Sequence, residues 1–118
     1  GVSFSGTSGQ PISDLALNTD GAVGPTALMK RCLAWGSIAP TGPDTCAVSS
    51  DPRHTLVFKS TPHVYFTGNQ DVFETDVFSN GAAETVLVSV PEFASSRCVA
   101  LVNMGSLRCT RVVVTHTQ

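Results

Sequence analysis

Apolar positions follow two rhythms along this chain. Between Pro25 and Gly36 they recur at helical spacing: Leu28, Cys32 and Trp35 stand at i, i+4 and i+7, with Met29 and Leu33 widening the stripe and Lys30 and Arg31 opposite. Pro25 suits a first helical position, where a missing N–H costs nothing, and Gly36 suits the position after the last turn. The pattern predicts an amphipathic helix of about three turns. Its Leu28–Cys32–Trp35 stripe is expected to lie on a sheet, so that Trp35→Ala would empty a core site at about 3–5 kcal/mol.

Elsewhere the apolar residues come in short runs: Val2-Ser3-Phe4, Leu56-Val57-Phe58, Val64-Tyr65-Phe66, Val86-Leu87-Val88-Ser89-Val90, Cys98 to Val102, and Arg111 to Val114. Turn residues separate the later ones at intervals of about 10–12 positions, which predicts an antiparallel meander in the C-terminal half. Runs this continuous are expected to be covered on both faces. Gly6-Thr7-Ser8-Gly9-Gln10-Pro11 and Asn18 to Gly24 read as loops. Ala39-Pro40-Thr41-Gly42-Pro43-Asp44 reads as a rigid loop hugging the surface.

Composition narrows the class. The 118 residues suit one small domain, 42% hydrophobic and 14% charged, with net charge −2. That is too apolar for a disordered tail, and no apolar run approaches the roughly 18 residues of a membrane span. Gly1-Val2-Ser3-Phe4 lacks a basic stretch followed by an apolar one, so no signal peptide is expected there. The acidic balance offers no basic face for nucleic-acid phosphates. Charge is also sparse against the usual quarter of residues. Either Ser and Thr cover the surface, or part of it is buried against something else.

Candidate chemistry is thin. Cys32, Cys46, Cys98 and Cys109 contain no C-x-x-C pair, which excludes the common zinc-knuckle and thioredoxin spacings and favours free thiols in a reducing compartment. His54, His63 and His116 are scattered, with His63 expected to be structural and His116 at a frayed end. No nucleophile elbow and no P-loop signature occur. Asp71, Glu74 and Asp76 form a carboxylate cluster, with Glu74 and Asp76 on one face of an extended segment. The flanking Phe73 and Phe78 make it an exposed hairpin with solvated acids.

Several phrases occur together in one order: Gly6-Thr7-Ser8-Gly9-Gln10 with Ile12-Ser13-Asp14-Leu15, Ile38-Ala39-Pro40-Thr41-Gly42-Pro43-Asp44-Thr45, Thr61-Pro62-His63-Val64-Tyr65-Phe66-Thr67-Gly68-Asn69, Val90-Pro91-Glu92-Phe93, and Leu101-Val102-Asn103-Met104-Gly105-Ser106-Leu107. In these the chain resembles the B-subunits of eukaryotic DNA polymerases, in particular the polymerase delta branch. Segments 16–27 and 46–59 depart from the family pattern. The resemblance implies an α/β (α+β) fold, the C-terminal part of a calcineurin-like metallophosphoesterase β-sandwich with a flanking helix. Residues 1–118 would be the C-terminal portion of an inactive phosphoesterase-like domain, with the rest of that domain and an OB-fold expected upstream. Such a piece, alone, is expected to be poorly stable or self-associating.

Active relatives of this fold hold two metals through His and Asp ligands, ending in a Gly-His-x-His motif. Here Gly68-Asn69-Gln70-Asp71 stands in its place, with Asn69 where the first histidine would be and Asp71 still able to ligate. The other histidine-bearing loop corresponds to Gly6-Thr7-Ser8-Gly9, which has none. Thr7, Ser8, Asn69 and Asp71 are thus degenerate ligand positions, and no catalytic residue, metal or cofactor is expected. The resemblance implies a nuclear, non-catalytic scaffold in the replicative polymerase delta complex. It would bind the C-terminal metal-binding region of the catalytic subunit and a further accessory subunit, meeting DNA only through the complex and no membrane. The alternative is a metal-dependent phosphoesterase with exonuclease activity, like the archaeal relatives.

Overall fold

A computed structural model describes residues 1–51, 53 and 56–115. The expectations for His54 and His116 lie outside the described residues. The element order is β1 (Phe4–Thr7), α1 (Gln10–Leu17), α2 (Pro25–Trp35), β2 (Val64–Gln70), β3 (Glu74–Ser79), β4 (Glu84–Pro91), α3 (Phe93–Ser96), β5 (Cys98–Val102) and β6 (Cys109–Val113). This is a mixed α/β fold, and no helix among the described residues is long and apolar enough to cross a membrane.

The main sheet has the order β1-β2-β4-β3. β1–β2 and β2–β4 are parallel pairs, and only β3–β4 is antiparallel. The meander expected from spacing is therefore corrected. Spacing reveals strands but not partners, and a parallel pair needs a crossover connection. Between β1 and β2 the crossover carries α1 and α2; between β2 and β4 it is β3, which turns back on β4's far side. β5 and β6 form a separate antiparallel pair. The run Leu56-Val57-Phe58 is not a strand of either sheet: it makes one bridge, Ser37 to Val57, against the chain leaving α2.

Both long helices start on proline in their first turn. α2 ends on Gly36 at φ 72°, where the Gly36 and Ser37 N–H groups donate to the Leu33 and Cys32 carbonyls. The α1 segment carries the same proline signal at Pro11, but the neighbouring glycines make it read as loop. The core lies between these helices and one face of the sheet. Ile12, Leu15, Leu28, Met29 and Cys32 meet Tyr65 and Leu87, with Phe58 edge-on to Tyr65 at 5.2 Å between ring centroids.

Trp35 is not part of that core and is 59% exposed, against the expectation. The buried residues of α2 are Thr26, Leu28, Met29 and Cys32, so its buried stripe is centred on Met29. At about 100° per residue, Trp35 falls roughly 20° beyond Leu28, on the outer margin. The carboxylate reading holds in part: β3 and β4 form the hairpin and Asp76 is exposed, but the acids are not simply solvated. Glu74 and Asp76 do share a face, but that face meets α2. Glu74 Oε1 accepts from the Thr26 backbone N–H (3.2 Å) and hydroxyl, and Asp76 pairs with Lys30 at 2.7 Å.

The proline-flanked loop hugs the surface as expected, burying Ala39 and Cys46. The Asp14 carboxylate on α1 anchors it by accepting the hydroxyls of Thr41 and Thr45, the latter at 2.6 Å. These donors, Thr41 foremost, hold the Asp14 carboxyl below the usual range. All four cysteines are free, as expected.

Candidate functional site

In open sheets with parallel strands, ligands bind in the crevice beyond the carboxyl ends of the strands. β1 and β2 run parallel and end at Thr7 and Gln70, so the fold itself points to the loops that follow. The four degenerate ligand positions lie at these ends, Thr7 and Asn69 within the strands and Ser8 and Asp71 just beyond them, in two segments some 60 residues apart in sequence. Thr7, Ser8 and Asn69 come together; Asp71 stands one turn further on, exposed.

The two segments are joined by hydrogen bonds. The Asn69 side-chain amide donates to the Ser8 carbonyl at 2.8 Å, and the Thr7 and Thr67 hydroxyls meet at 3.2 Å. Thr7 Oγ1 also accepts the Gly9 N–H at 3.3 Å. Gln70 Nε2 donates to the carbonyls of Gly9 (3.3 Å) and Gly68 (3.0 Å). The β2–β4 register shifts between Thr67 and Gln70, and Asn69 there adopts φ 52°, a left-handed conformation that asparagine tolerates well. Gly9, at φ 111°, approaches so closely that a Cβ would stand 2.0 Å from the Gly68 carbonyl oxygen.

Metal catalysis of phosphate transfer needs several imidazole or carboxylate donors aimed at one point. The donors assembled here are hydroxyls and one amide, whose oxygen is a poor transition-metal ligand beside an imidazole nitrogen. Among the described residues, no group of three or more His, Cys, Asp or Glu side chains could hold a metal ion. The chemistry of this donor set does not fit a two-metal centre. His63, as expected, is structural: its Nδ1 accepts the Ser3 N–H at 2.9 Å.

Gln70 and Gly9, which fasten the crevice, were not singled out from the sequence. Neither was a second feature beside it. An open groove of about 540 Å³ runs between the sheet face opposite the helices and the β5–β6 pair, lined by Phe4, Phe66, Val88, Val90, Ala100 and Val102 among others. Within β2, Tyr65 and Thr67 are buried against the helices while Phe66 between them faces the groove.

The family profile of the DNA polymerase alpha/epsilon B-subunits matches residues 1–75, and the chain belongs to that family. Within it, the chain is 41% identical over 113 residues to the DNA polymerase delta subunit 2 of Drosophila melanogaster, covering 91% of this chain and 25% of that protein. It is 38% identical over 112 residues to the DNA polymerase delta small subunit of Oryza sativa subsp. japonica (92% and 26%), and 34% identical over 111 residues to that of Arabidopsis thaliana (92% and 25%). The chain thus spans about a quarter of the length of these relatives.

Proposed function

We propose that the chain is part of the non-catalytic small subunit of a replicative DNA polymerase delta, working in the nucleus as a scaffold. The observation that carries this reading is the likeness to polymerase delta small subunits over about nine-tenths of the chain. The hydrogen-bonded closure of Thr7, Ser8 and Asn69 supports the non-catalytic half of it, because the crevice has been turned into a structural joint. In this reading residues 1–118 are the C-terminal portion of a phosphoesterase-like domain without metal or cofactor. An OB-fold and the rest of the domain precede them in the longer protein. That protein bridges the C-terminal region of the catalytic subunit and a further accessory subunit, and reaches DNA through them.

Order-of-addition purification tests the bridge. With the full-length small subunit present, the accessory subunit is expected to co-purify with the catalytic subunit; without it, the two should separate. Equal recovery in both cases would remove the bridging role.

A further inference from the structure

The tip of the β3–β4 hairpin carries the pair Asn80-Gly81, and of the four asparagines in the chain, Asn18, Asn69, Asn80 and Asn103, only Asn80 precedes a glycine. Glycine has no Cβ, so its backbone nitrogen is the least hindered nucleophile that a following residue can offer. Gly81 is exposed at φ 96°, with nothing within 4 Å of where a Cβ would stand. The strand ladder closes at Ser79 opposite Glu84, which leaves the Gly81 nitrogen outside it. Three groups meet this pair. Asn80 Oδ1 accepts the Ala83 N–H at 3.0 Å, Asn80 Nδ2 donates to the Thr61 hydroxyl at 3.3 Å, and the Gly81 N–H donates to the Ser79 hydroxyl at 3.4 Å. The Ala83 contact fixes which end of the amide is oxygen, since a backbone N–H only donates.

From this arrangement we infer that Asn80 is a self-modification site, converted by water to an aspartyl or isoaspartyl residue with loss of ammonia. The Gly81 nitrogen attacks Asn80 Cγ and forms a C–N bond, its proton passing to solvent beside Ser79 Oγ. Negative charge gathers on Oδ1, where the Ala83 N–H already points, and a preset donor there acts as an oxyanion hole does. The Cγ–Nδ2 bond then breaks. The departing nitrogen takes a proton from the Thr61 hydroxyl, which solvent restores, and leaves as ammonia. Water opens the resulting cyclic imide at either carbonyl, giving an ordinary aspartyl link or an isoaspartyl link with one more methylene in the backbone. One water is consumed, one ammonia is released, and the hairpin tip gains a negative charge. Asn103 provides the internal contrast. Its Oδ1 also accepts backbone N–H groups, from Gly105 and Ser106, but Met104 follows it and its side chain crowds the attacking nitrogen. The inference stands on the hairpin alone and does not depend on the polymerase reading.

Incubation of the small subunit at its full length in heavy-oxygen water at neutral pH, followed by peptide mass mapping, tests this. A linear peptide of residues 77–83 serves as the unstructured reference, because an isolated hairpin is marginal in water. Folded protein should exchange the Asn80 amide nitrogen for heavy oxygen at least as fast as the peptide does, and about tenfold faster than at Asn103. Thr61→Val, which keeps the shape and removes the hydroxyl, should slow the folded reaction about threefold. Slower conversion in the fold than in the peptide would mean that the turn guards the bond, and would overturn the inference. Conversion of Asn103 at a comparable rate, or an unchanged rate in Thr61→Val, would overturn it as well.

Discussion

Replacing Gly9 by alanine probes the joint between the two loops at the strand ends. Two separable penalties act there. An L-residue at φ 111° is strained, at about 1–3 kcal/mol. The new methyl would also sit 2.0 Å from a backbone oxygen, Gly68 O, on a segment held by the Gln70 and Asn69 amides. Overpacking of this kind adds about 1–3 kcal/mol. Gly81 separates the two, since its φ is 96° but nothing lies within 4 Å of its would-be Cβ. Gly9→Ala should therefore destabilise by about 2–6 kcal/mol and Gly81→Ala by the strain alone. At about 4 °C per kcal/mol for a chain of this size, Gly9→Ala should lower Tm by at least roughly 8 °C. Urea and thermal unfolding followed by circular dichroism measure both. If the two variants melt together, the loops are not in tight contact and the closed-crevice account fails.

Trp35→Ala should change stability by less than about 1 kcal/mol, while Leu28→Ala in the same helix should cost about 3–5 kcal/mol by urea titration. Tyr65→Phe should leave stability unchanged or raise it slightly, because among the described residues the buried Tyr65 hydroxyl meets only the Cys32 thiol, a weak partner, and no oxygen or nitrogen. The Asp14 and Asp76 carboxyls are held below their ordinary values, chiefly by Thr41 and by Lys30. A carboxyl whose pKa falls on folding stabilises the fold above its unfolded pKa and loses that contribution as pH drops through the folded value. Acid unfolding should therefore steepen below about pH 4, and Asp14→Asn should flatten that limb. Bound-metal analysis after incubation with manganese should find none at Gly68 to Asp71; one stoichiometric ion ligated by Asp71 would revive the phosphoesterase alternative.

What the sequence made legible followed local punctuation. Pro25 and Gly36 bracketed α2 correctly, and the continuous runs located β2, β4 and β5. The helix face was misjudged at Trp35 because a seven-residue step lands near, but not on, the true stripe. The segment of β3 was legible as an extended hairpin arm, but Glu74 and Asp76 look solvated until α2 supplies Thr26 and Lys30 as partners. The parallel order could not be read, since pairing between β1, β2 and β4 is decided by crossovers and not by the strands' own residues. At the crevice, nothing in the spacing of Thr7, Ser8 and Asn69 brings them together. Family resemblance aligned them, and the β1–β2 register shows why they meet.

The central claim is that the longer protein acts by binding polymerase subunits. Sedimentation velocity of the full-length small subunit mixed with the catalytic subunit of polymerase delta tests it most directly. The account predicts a single boundary at one-to-one stoichiometry, stable on dilution. Two independent boundaries, with the small subunit sedimenting alone at every ratio, would contradict it.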